Sequence, residues 1–125
     1  LDVFNALSVE ASTAAWQHGA PWLDELLGYL AENRRWFIQQ IDEHLPWARV
    51  VPSQATYLLW IDCKALGLDD EQLKWVMLDV AGIAPSMGNS FGPAGKGFIR
   101  LNMGCPRAYL EKAVEGLKRI AFTSC

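Results

Sequence analysis

Arg100 interrupts an apolar run, Gly97-Phe98-Ile99-Arg100-Leu101-Asn102-Met103, and this one charge restricts what the chain can fold into. The run reads as a strand. Its alternation puts Phe98, Arg100 and Asn102 on one face and Ile99, Leu101 and Met103 on the other. A guanidinium taken out of water is costly unless an anion meets it. Pattern alone leaves two readings open. Arg100 either sits on a half-exposed face, paired with a surface carboxylate, or binds a small carboxylate ligand, which its planar fork of donors fits bidentately. The glycine-rich stretch just before it, Gly88–Gly97, would let a ligand come close to the strand.

The rest of the chain supplies the elements around this strand. Ser8 to Gly19 reads as a short helix, with Ser8 as N-cap and Gly19 as stop. Pro21 suits a first helical position. From there Leu23, Leu26, Leu27, Leu30, Phe37, Ile38, Ile41 and Leu45 recur at helical spacing up to Pro46, which predicts a long amphipathic helix. Arg49-Val50-Val51 is a short strand. Ala55 to Asp62 is a longer one, and its apolar residues on both faces predict a central strand covered on both sides. Asp69 followed by Gln72 is a capping box for a helix with the stripe Leu73, Val76, Met77 and Val80, ended by Gly82. Ile83-Ala84-Pro85 reads as a short edge strand. Pro106 opens a last helix, with Leu110, Ala113, Val114, Leu117, Ile120 and Ala121 facing the core. The order helix, helix, strand, strand, helix, strand, strand, helix predicts an α+β sandwich, helices packed on a small mixed or antiparallel sheet.

With 125 residues the chain is large enough for one domain with a real core. Its net charge of −3 argues against nucleic-acid binding, which wants a basic face. No apolar run is long enough for a membrane span, and Leu1-Asp2-Val3-Phe4-Asn5 lacks the positive start of a secretory signal. The absence of an initial Met predicts processing or a piece of something longer. Cys63, Cys105 and Cys125 fit no zinc pattern and read as reduced thiols of a cytoplasmic protein. His18 and His44 are too scattered to add a metal site.

Three further motifs carry chemistry on paper. Gly88–Gly97 is neither a dinucleotide fingerprint nor a P-loop, because it precedes a strand and lacks the Gly-Lys-Ser/Thr ending. Gly104-Cys105-Pro106-Arg107 places backbone N–H groups at a helix start. Pro106 removes one donor, however, so the segment reads as a structural turn with Arg107 as a surface or interface charge. Asp62 and Cys63 read as satisfied groups at a strand end, and the six tryptophans mostly as core, with one or two free to line a partner surface.

Several segments together resemble one family: Ala55–Cys63, Ser90-Phe91-Gly92, Gly97–Asn102, Gly104–Arg107, and Gln17-His18-Gly19 with Pro21-Trp22-Leu23. They are similar to the C-terminal part of fold-type I pyridoxal-phosphate (PLP) enzymes, the class I/II aminotransferases. Within these the likeness is to the cystathionine β-lyase or cysteine-S-conjugate β-lyase branch. The resemblance implies that residues 1–20 are a lead-in helix from the large-domain side, that 21–125 form the small domain, and that the large PLP-binding domain is absent. It implies that Arg100 binds the substrate α-carboxylate. It also implies that the PLP lysine, in a Ser-x-x-Lys-like context shared by none of Lys64, Lys74, Lys96, Lys112 and Lys118, lies elsewhere. This chain would then hold no catalytic, cofactor-binding or metal-binding residue and would be inactive alone. The implied parent is a PLP-dependent carbon–sulfur β-lyase, or alternatively an aminotransferase, that acts as a homodimer on a small amino acid. A free-standing amino-acid-binding regulatory domain is the reading from a different class. The resemblance leads us to expect a glycine-bearing turn near Pro85-Ser86-Met87, so no contact of Ser86–Ser90 is carried over.

Overall fold

The structure, a computed structural model, describes residues 5–120. Among the described residues, four α-helices and a four-stranded antiparallel sheet make an α+β arrangement, in the predicted order. By internal contacts the chain divides into two compact units, one up to Glu32 and one from Asn33 onward.

The first unit holds α1 (Ala6–His18) and the first part of α2 (Ala20–His44). Asn5, not Ser8, caps α1, since its side-chain oxygen accepts from the Leu7 N–H at 2.8 Å. Gly19 stops α1 as expected, and α2 begins at the next residue. No side chain of α1 is buried.

In the second unit the sheet order is β1-β2-β4-β3, with β1 Arg49–Val51, β2 Leu58–Asp62, β3 Ser86–Met87 and β4 Phe98–Asn102. Two strands are shorter or shifted relative to expectation. β2 starts at Leu58 because Thr56, at φ 66°, turns the chain through the left-handed region, where a β-branched residue is rare. Its hydroxyl accepts from the Leu58 N–H at 3.3 Å and supports that turn. The edge strand is Ser86–Met87, not Ile83-Ala84-Pro85. Ile83 donates its N–H to Met77 O at 2.9 Å to close the preceding helix, and Pro85 has no N–H for a ladder.

The Asp69 capping box forms as read, with Gln72 N donating to the carboxylate at 2.8 Å and the Gln72 side chain accepting from Asp69 N at 3.1 Å. It starts α3 (Asp70–Trp75), which continues into one π-helical turn, Val76–Val80. α4 (Arg107–Leu117) begins immediately after Pro106. Ala121 and Cys125 lie outside the described residues.

β2 is central by order but not covered on both faces. Its burial alternates: Leu59 and Ile61 are buried, whereas Leu58, Trp60 and Asp62 are half-buried. Ile99 on β4 joins the buried set. The core combines this sheet face with Phe37 and Ile41 of α2, Leu73 and Met77, and Leu110, Val114 and Leu117 of α4. Burial of each such side chain contributes about 1.5–3 kcal/mol. Of the tryptophans only Trp47 is buried, and Trp16, Trp22 and Trp75 are exposed, so most are not core.

Candidate functional site

The half-buried sheet face carries the site. Antiparallel register sets Trp60 opposite Arg100 on one side and Ser86 opposite Arg100 on the other. Residues directly opposite one another point the same way, so the three side chains stand in a row on this face. Arg100 Nη2 donates to Ser86 Oγ at 3.2 Å. Among the described residues, the ion pairs involve other groups, and no carboxylate meets Arg100. The surface-carboxylate reading of Arg100 therefore has no support here. The guanidinium keeps most of its donors uncommitted beside a shallow cleft of about 300 Å³, lined by Leu58, Pro85, Ser86, Arg100 and Asn102 among others. A half-buried guanidinium fork beside a cleft is suited to a carboxylate.

The glycine-rich stretch covers this face. It forms two 3₁₀ turns, Gly88–Phe91 and Pro93–Gly95, and Gly92 between them has φ 116°. Gly88 and Gly95 are both buried, and a Cβ on either would collide with the backbone of the other. That crossing needs two glycines. It places Phe91 so that the Arg100 guanidinium carbon lies 4.5 Å from the ring centroid. Phe91 meets Trp60 edge-on at 5.6 Å, and Trp60 stacks on Phe98 at 5.4 Å. Lys64 Nζ lies 4.3 Å from the Phe98 centroid at the other end. Sequence reasoning placed Phe98 on the Arg100 face but missed Ser86, Phe91 and Trp60 as neighbours. Only strand register and the loop crossing bring them there, although Ser90-Phe91-Gly92 was a visible motif.

The remaining motifs prove structural. Asp62 accepts from Lys64 N at 3.0 Å and pairs with Arg49 at 3.5 Å, as expected of a satisfied strand end. Arg107 is not a free surface charge. Its Nε donates to Asn33 Oδ1 at 2.7 Å, its guanidinium carbon lies 4.6 Å from the Trp36 ring centroid, and the fully buried Asn33 donates on to Cys105 O at 3.3 Å. These bonds lock the turn after β4. Burial raises the Cys105 thiol pKa, which opposes thiolate formation and a nucleophile's role.

Cys63 is buried more deeply. Desolvation first, then the Asp62 charge, push its pKa from 9.0 to about 12. The folded state thus holds a proton that the unfolded chain releases. Stability is unaffected below about pH 9 and falls as pH rises from there toward 12, by up to about 1.4 kcal/mol per pH unit. In urea titrations at stepped pH, the loss between pH 9 and 11 should be smaller in Cys63→Ala than in the parent chain. Parallel losses would show that Cys63 does not titrate this way.

No protein-family model matches the sequence. Among curated proteins, the chain is 40% identical to Protein MalY of Escherichia coli over 113 residues, which is 90% of this chain and 29% of that protein. It is 40% identical to cystathionine beta-lyase PatB of Bacillus subtilis over 116 residues, 93% of this chain and 29% of that protein. Of solved structures, cystalysin from Treponema denticola, which contains PLP, superposes with a TM-score of 0.88 at 28% identity over 93% of this chain and 29% of its own. The PLP-bound C-S lyase from Staphylococcus hominis gives 0.82 at 30% identity over 91% of this chain and 30% of its own. The match is to the C-terminal part of these proteins. The chain spans about three-tenths of the length of the curated relatives it matches.

Proposed function

We propose that this chain, homologous over nine-tenths of its length to the C-terminal part of cystathionine β-lyases, supplies the substrate α-carboxylate site of a PLP-dependent carbon–sulfur β-lyase. One observation carries the reading: Arg100 stands half-buried beside a cleft with no carboxylate partner among the described residues. Residues 1–20 are then the lead-in from a large domain, and 21–125 the small domain. The whole enzyme works as a homodimer on a small sulfur-bearing amino acid. Cys63 and Cys105 are free thiols, which fits a reducing, cytoplasmic compartment. Among the described residues no helix is long and apolar enough to cross a membrane.

The residues present fit the substrate's carboxylate and not the cofactor. A PLP lysine would need an amine that reaches the cofactor's aldehyde carbon. Lys64 lies over Phe98, Lys112 over Tyr109, and Lys118 pairs with Glu115 at 3.2 Å, while Lys74 and Lys96 are exposed. The cofactor's lysine therefore belongs to the large domain, and the isolated chain should not turn over substrate. PLP, where bound, supplies the electron sink for elimination. Arg100 contributes geometry: two parallel hydrogen bonds to the α-carboxylate fix the rest of the amino acid in one orientation.

The relatives also include LL-diaminopimelate aminotransferase of Nitratidesulfovibrio vulgaris at 29% identity, so transamination is the rival reaction. The same arginine serves both. Incubating the full-length protein with cystathionine and no acceptor keto acid separates them. A lyase releases pyruvate continuously. Release that stops without an added keto acid would refute the lyase reading.

A further inference from the structure

Five side chains form a continuous row at the site face, with Lys64 and Arg100 as the terminal cations and Phe98, Trp60 and Phe91 between them. We infer that Phe91 is a positioning residue, whose ring fixes the Arg100 guanidinium so that its open donors face the carboxylate of the bound amino acid. The inference rests on the carboxylate reading of Arg100.

An arginine side chain has several soft torsions, and an unpaired guanidinium beside a cleft would sample many of them. Here two contacts hold it. Ser86 Oγ accepts from Nη2 at one edge, and the Phe91 ring lies against the guanidinium carbon. A ring face attracts a cation without consuming any of its N–H donors. A carboxylate partner would hold the arginine equally well but would occupy the donors the substrate needs. The ring is itself held, because Trp60 meets it edge-on and is stacked on Phe98. The Phe98 ring carries the Lys64 ammonium on the strand-end side. Phe91 is 53% exposed, so its ring is not explained as core filling. The backbone beneath it is fixed by the Gly88–Gly95 crossing, and Ser90 Oγ donates to Met87 O at 2.6 Å within the same turn.

The test measures KM and kcat in the full-length enzyme for Phe91→Leu, Phe91→Tyr and Arg100→Ala. Phe91→Leu keeps apolar bulk and removes the π face. It should raise KM about three- to tenfold and leave kcat within about twofold, as expected for loss of one cation–π contact. Phe91→Tyr keeps the face and should restore the parent KM. In an Arg100→Ala background, Phe91→Leu should add nothing. If Arg100→Ala raises KM and Phe91→Leu does not, the positioning role is refuted and the carboxylate reading stands. If Phe91→Leu raises KM equally with and without Arg100, Phe91 acts on substrate directly and the inference is again refuted. If Arg100→Ala leaves KM unchanged, the carboxylate reading falls and takes this inference with it. Because Phe91 is exposed, a folding defect is not built into the substitution, and unchanged thermal unfolding of Phe91→Leu completes the supporting result.

Discussion

Arg100→Ala in the full-length enzyme is expected to raise KM for the amino-acid substrate by about a hundred- to a thousandfold. The estimate follows from two hydrogen bonds to a charged group at about 1.5–3 kcal/mol each, less the solvation regained, at about 1.4 kcal/mol per decade. Arg100→Lys keeps the charge but loses the fork, and it should still raise KM by about tenfold or more. PLP content should stay near the parent value in both variants, because the proposed role of Arg100 is toward the substrate carboxylate and not the cofactor. Steady-state kinetics with absorbance of the bound cofactor measures both quantities. A KM that is unchanged in Arg100→Ala would end the assignment of Arg100 to the carboxylate.

Gly88→Ala should give the second large effect, on stability and on the site together. The new methyl group would meet the carbonyls of Gly95 and Phe98, both backbone atoms that cannot swing aside. The crossing has to open. Overpacking of this kind costs about 1–3 kcal/mol, which in a domain near this size lowers Tm by roughly 4–20 °C. Opening the crossing also moves Phe91 away from Arg100, so KM should rise alongside the fall in Tm. Gly28→Ala is the control. Nothing stands within 4 Å of its Cβ position in α2, and an alanine inside a helix should be neutral or slightly stabilising. Equal Tm values for Gly88→Ala and the parent would show that the loop does not depend on this crossing.

Much of this architecture could be read locally. Helical spacing located α2 and α4, the Asp69–Gln72 pair located the start of α3, and alternation assigned Arg100 to its face. Each of those signals lies within a few residues of the feature it reports. The misplacements have the opposite character. The edge strand shifted to Ser86–Met87 because Ile83 spends its N–H on Met77, a contact that belongs to a helix end and not to strand propensity. The N-terminus of α1 moved from Ser8 to Asn5, since both residues can cap and only the backbone decides between them. β2 looked covered on both sides because Trp60 is apolar, yet Trp60 serves as a half-exposed member of the aromatic row. Ser86 and Phe91 reach Arg100 across 14 and 9 positions of chain, through register and a backbone crossing that no local pattern encodes.

Strands β2, β3 and β4 sort their residues by parity. Leu58, Trp60, Asp62, Ser86, Phe98, Arg100 and Asn102 are even-numbered and share the site face. Leu59, Ile61, Met87, Ile99 and Leu101 are odd-numbered and share the other. The proposed carboxylate recognition and the folding then draw on interleaved sets of positions in the same strands. A lineage could retune the even set by substitution while the odd set keeps the fold. It could not do so by inserting or deleting one residue within β4, because that exchanges the two sets and drives Arg100 into the core.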